Sequence, residues 1–78
     1  MIKVFKLING EELISEVKES GVGYEMTSPA SIMMQQTPDG KVGVGIAPYM
    51  PYASGKVTLH RTAIAGEAEA DQKMANEY

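Results

Sequence analysis

Apolar side chains recur along this chain at the short periods of strands rather than helices. Ile2 to Ile8 is β-compatible throughout, and Asn9-Gly10, a pair suited to the positive φ of a tight hairpin turn, follows it directly. Leu13, Ile14 and Val17 then stand among polar residues, with Glu11, Glu12, Glu16 and Glu19 read as the solvent side of that hairpin. Gly21-Val22-Gly23 is the next break, and Tyr24 to Gln36 is one long extended stretch. Pro29 within it has no N–H to give a ladder, which predicts a bend or an edge position there. Thr37-Pro38-Asp39-Gly40 is a turn. Lys41 to Ala47 alternates strictly, with Val42, Val44 and Ile46 on one face and Gly43, Gly45 and Ala47 on the other. The stretch from Pro48 to Gly55 is a proline-flanked loop carrying Tyr49 and Tyr52, and Val57, Leu59 and Ile64 mark a last extended segment, interrupted near Arg61-Thr62. From Gly66 onward helix formers dominate, with acids early and Lys73 late, which predicts a short C-terminal helix.

The expected architecture is therefore mostly β: five short strands in a small, strongly bent barrel over residues 1–66, then a helical tail over 67–78, with no helix before the first strand. Phe5, Leu7, Leu13, Val17, Met26, Ile32, Val44, Ile46, Leu59 and Ile64 are the expected core. Length sharpens this picture. A chain of 78 residues is one domain at most, and a core of that size seldom supplies more than about 3–5 kcal/mol, so small folds add disulfides, a metal or further copies. There is no cysteine. Oligomerisation is the route left, and strand edges that pair with a neighbouring copy would supply it. No apolar run approaches the roughly 20 residues that span a bilayer, and lysines interrupt the apolar N-terminus, so neither a membrane segment nor a secretory signal is expected.

Charge and chemistry narrow the function classes. The net charge of −3 opposes broad nucleic-acid affinity, which draws on a basic surplus that releases counterions. His60 is the only histidine, and no spacing pairs it with a nucleophile. No serine lies in an elbow motif, and neither Gly21-x-Gly23 nor Gly43-x-Gly45 is a phosphate loop. Glu67, Glu69 and Asp71 read as a solvated acidic terminus rather than a metal site. The chain is thus expected to be non-enzymatic, without cofactor or metal. Tyr24 could stack on a base, whereas Tyr49 and Tyr52, beside prolines and far from positive charge, read as interface anchors.

The first hairpin resembles the Sm-like family of small ring-forming barrels. The family's first motif runs apolar-x-apolar-x-Asn-Gly, then an apolar residue, Gly, x and Leu. Here it reads Phe5-Lys6-Leu7-Ile8-Asn9-Gly10, then Leu13, Ser15 and Val17, with Ser15 for the glycine and Val17 for the leucine. The second motif, apolar-Arg-Gly-x-x-Ile, has its spacing in Leu59-His60-Arg61-Thr62-Ala63-Ile64 without the Arg-Gly pair. Short phage-encoded members look similar in starting directly at the first strand and in carrying an apolar-Pro-aromatic-Met-Pro stretch, here Ala47-Pro48-Tyr49-Met50-Pro51.

The resemblance implies a homo-oligomeric ring closed by edge pairing, through the strand of Val42, Val44 and Ile46 and the final extended segment. It implies a cytoplasmic location, the host's if the chain is phage-encoded. It also places single-stranded RNA contacts at Tyr24, Glu25, His60 and Arg61. The base-reading amide is replaced by Glu25 and the arginine by His60, with Arg61 one place on, so weak binding without uridine preference is expected. A ring that binds another protein is the alternative.

Overall fold

The computed structural model describes the whole chain, Met1–Tyr78. In order, the elements are β1 (Ile2–Leu7), β2 (Glu12–Ser20), β3 (Gly23–Gln36), β4 (Val42–Pro48), β5 (Val57–His60), a single 3-10 turn (Arg61–Ala63), β6 (Ile64–Glu69) and α1 (Gln72–Glu77). The turns fall where the sequence put them. Gly10 and Gly40 take φ of +90° and +82°. Asn9 braces the first turn, its side-chain oxygen accepting from the Glu11 amide at 3.0 Å. In the β3–β4 turn the Thr37 hydroxyl reaches Asp39 and the Lys41 carbonyl.

All pairings are antiparallel, in the order β4-β3-β2-β1-β6, while β5 pairs with β3. The 14-residue β3 has two partners on one side. Gly23–Met26 pair with β5 and Ala30–Gln36 with β4. Between Met26↔Val57 and Ala30↔Pro48, residues 27–29 of β3 face residues 49–56 of the other side, so three positions oppose eight and five residues loop out. Pro29 lies in this gap, as its missing N–H requires, and its carbonyl accepts from the Tyr49 amide at 2.9 Å. The β2–β3 register slips beside it, between Ile14 and Glu16, and Ser28 takes a φ of +51°. The strand bends where both neighbouring ladders break.

The expected five strands are thus six, because the 3-10 turn at Arg61–Ala63 divides the last expected segment into β5 and β6, while β4 and β5 lie end to end along β3 on either side of the expected loop. The closed barrel is also corrected. The 3-10 turn draws the margins of the sheet together, with Ile8 donating to Ala63 at 2.9 Å and Arg61 to Val22 at 2.8 Å. No ladder joins β4 or β5 to β6, so the sheet curls without closing. The helix expected from Gly66 onward begins only at Gln72. Glu67, Ala68 and Glu69 pair with Phe5, Val4 and Lys3 instead, a case of strand partners overriding helical composition. Asp71 caps α1 by accepting from the Met74 amide at 2.8 Å.

The core is one cluster of Phe5, Leu7, Leu13, Val17, Tyr24, Met26 and Leu59, with Tyr49, Val57, Ala63 and Ile64 packed against it. Ile32 and Ile46 are only half-buried, and Val44, expected inside, is 55% exposed. The reason is geometric: the outer half of the β3–β4 hairpin runs past the last residues of β1 and β2 that could cover it, in a molecule 45 × 25 × 25 Å in extent. Ile14 and Ala30, paired across β2 and β3, are buried without belonging to that cluster.

Two substitutions test this account. Leu13, fully buried, should lose about 2–5 kcal/mol on change to Ala, measured by urea unfolding. Gly23→Ala should be comparably damaging, because its Cβ would lie 2.1 Å from the Leu59 carbonyl oxygen and 2.8 Å from the Arg61 nitrogen, both backbone atoms that cannot swing aside. Gly43→Ala, with its nearest atom at 3.8 Å, is the matched control and should leave stability close to the parent's.

Candidate functional site

The pairing of β3 with β5 brings the two candidate segments to one end of the sheet. Gly23 faces His60, Tyr24 faces Leu59, and Glu25 faces Thr58. Tyr24, Glu25, His60 and Arg61, far apart in sequence, are therefore spatial neighbours. Of their side chains only those of Tyr24 and Arg61 meet. Tyr24 and Glu25 are successive strand residues and project to opposite faces.

Tyr24 goes inward. It is 3% exposed, its ring centroid 5.2 Å from that of Phe5 at a 55° tilt. The Lys3 ammonium stands 4.9 Å from the ring centroid and the Arg61 guanidinium 5.6 Å, both within the range of cation–π attraction. With its ring so occupied, Tyr24 offers no free face for a base, and the stacking role expected of it lacks the surface it needs. Lys3 also donates to the Tyr24 hydroxyl and to Glu67 Oε2, each at 3.2 Å.

The charge states follow. The Tyr24 hydroxyl, then the Lys3 ammonium and the Arg61 charge, hold the Glu67 carboxyl below its ordinary range. Tyr24 and Glu67 together raise Lys3, against the opposing effect of burial. This Lys3–Tyr24–Glu67 triad joins β1, β3 and β6. The sequence reading missed it, although strand alternation places Lys3 beside Phe5 on one face. Its partner Glu67 needed the β1–β6 register, which no local pattern supplies.

Glu25 points outward and is held by Lys56 at 2.8 Å, which lowers its pKa. It is thus an acceptor already matched by a cation. His60 is exposed and provides no side-chain cap to the 3-10 turn. Arg61 is exposed and forms no salt bridge. The groups at this end that could meet an anion are these two, at the rim of an otherwise closed cluster. No three His, Asp or Glu side chains gather as metal ligands.

The residues expected at an interface divide in two. Tyr49 is half-buried and packs on the core, so it is a core residue rather than a free anchor. Tyr52 is 99% exposed. Val42 and Val44 are exposed, and their cross-strand partners extend the patch: Val44 faces Met34, and Ile46 faces Ile32. The outer edge of β4 has no partner strand, and neither has the outer edge of β6.

A pH series tests the Lys3–Tyr24–Glu67 triad. A depressed carboxyl contributes stability that is present above its unfolded value, near 4.5, and is lost as pH falls through the folded value. Glu67→Gln should therefore lower the urea midpoint at neutral pH, and the gap to the parent should narrow below about pH 4.5. A gap that stays constant down to pH 3 would contradict the triad.

No helix is long and apolar enough to cross a membrane. No family model matches the chain, and no curated protein matches it.

Proposed function

We propose that the chain is a non-enzymatic Sm-like protein that acts as a homo-oligomeric ring in the cytoplasm and touches single-stranded RNA weakly. The observation that carries this reading is the pair of unsatisfied edges on one sheet. β4 lies at one margin and β6 at the other. An edge strand exposes a row of N–H and C=O groups that another strand can pair with. Two different edges on one subunit make a head-to-tail contact, which closes into a ring when the rotation between copies allows. The apolar patch of Met34, Val42 and Val44 beside the β4 edge adds area to such a contact. Only 12 of 78 residues are buried within a single copy, which leaves stabilisation for the assembly to supply.

RNA association rests on less. His60 and Arg61 are exposed on one rim, and a ring would repeat that rim so that one strand could meet several copies. The chain's net charge of −3 and the burial of Tyr24 both keep each contact weak. The same apolar patch supports the second reading, a ring that binds another protein.

Two experiments follow. Val44→Lys places a charge on an exposed position beside the free edge. It should convert the assembly to a folded monomer by light scattering, and an unchanged assembly would remove β4 from the interface. For RNA, oligo-U and oligo-A titrations should give weak, salt-sensitive binding of similar strength, reduced by Arg61→Ala with the oligomer intact. Tight, salt-resistant, U-selective binding would overturn this assignment of the rim.

A further inference from the structure

The break between β4 and β5 leaves a cleft of about 700 Å³ over the bend of β3. Ile46, Met50, Ala53 and Val57 supply apolar walls, and Glu16 and the Tyr78 hydroxyl stand on the polar side. The polar side is largely satisfied. Glu16 is paired with the terminal ammonium at 2.7 Å. The Tyr78 hydroxyl accepts from the Glu16 amide at 3.1 Å and lies 2.6 Å from the Thr27 carbonyl and 2.9 Å from that of Ser28. An occupant therefore needs no charge, only an apolar body and at most one hydroxyl for the free lone pairs of Glu16.

The same loop carries such a group. Tyr52 lies between Met50 and Ala53, which line the cleft, and is itself 99% exposed. Prolines at positions 48 and 51 limit the loop's freedom, so presenting the ring costs little ordering entropy. A knob and a hole within a few residues of each other form a self-complementary patch, the requirement of a two-fold contact between identical chains. We infer that Tyr52 of one copy inserts into the cleft between β4 and β5 of a second copy, and reciprocally. This contact uses no strand edge and goes beyond the edge pairing proposed above.

Its strength is bounded by area. A tyrosine buries about 150–250 Å², so two of them account for roughly 300–500 Å², well short of the roughly 1,200 Å² of a stable interface. The contact is weak in an isolated pair and gains from repetition wherever several copies are already joined.

The test uses Tyr52→Trp, which gives the chain its only tryptophan at a fully exposed position. The Val44→Lys background separates this contact from edge pairing. The indole emission should shift to the blue as protein concentration rises. Thr27→Arg, which directs a bulky charge from a lining position remote in sequence from the loop, should abolish the shift with circular dichroism unchanged. In the same background, Tyr52→Ala should weaken self-association seen by sedimentation by roughly thirtyfold, as for an anchor residue. Emission that stays water-like at every concentration would overturn the contact, as would a shift that survives Thr27→Arg. Neither result bears on the strand edges, which Val44→Lys alone probes.

Discussion

The bend in β3 at Thr27–Pro29 is the constraint on which the rest of the molecule depends. A 14-residue strand cannot stay flat and also cover so small a core. Pro29 removes one ladder donor, Ser28 adopts a positive φ, and these two residues stand opposite the single Ser15 of β2, so the extra residue of the bulge lies on β3. The buried Ser15 hydroxyl satisfies the kink, bonding the Glu16 carbonyl at 3.0 Å and lying 3.1 Å from that of Thr27. On the other side the chain loops out five residues before pairing resumes. From this one feature follow the division of β4 from β5, the cleft between them and the exposed Tyr52. Tyr78 closes over the same bend, so the end of α1 is fastened to the bulge it covers.

The bend also divides the sheet into unlike halves. The half made by β1, β2, β5, β6 and the start of β3 encloses Phe5, Leu13 and Met26, and holds the Lys3–Tyr24–Glu67 triad beside them. In the triad each polar group has a partner, which is what makes a nearly buried tyrosine hydroxyl tolerable there. The other half is a hairpin that leaves Met34, Val42 and Val44 in solvent. Exposing contiguous apolar residues next to an unpaired edge is costly for a lone subunit. The cost is offset if a neighbour covers both.

Much of the fold was legible in local pattern. The turns at Asn9-Gly10 and Pro38-Asp39-Gly40, the break at Gly21-Val22-Gly23 and the disruption at Pro29 each carry a backbone requirement that few residue types meet. Phe5, Leu7, Leu13, Val17, Met26 and Leu59 followed from alternation. What failed depended on distant pairing. Glu67 to Glu69 have helical composition but become a strand because β1 lacks a second partner. Val44 alternates like a core residue, yet nothing in the chain reaches it. At the site, the β3–β5 register makes neighbours of the segments around Tyr24 and Arg61. The burial of Tyr24 was invisible, because it depends on Phe5, Lys3 and Arg61 arriving from two other segments.

The central claim is that the β4 and β6 edges are joined between copies, and amide hydrogen exchange tests it residue by residue. In the intact protein at micromolar concentration, the amides of β4 and β6 that bond to neither β3 nor β1 should be protected to the level of β2, whose ladders are internal. The account predicts that dilution below the assembly's dissociation range abolishes this protection while β2 keeps its own. Outward amides on β4 and β6 that exchange as fast as those of the Tyr49–Lys56 loop, in a chain whose β2 is fully protected, would contradict it.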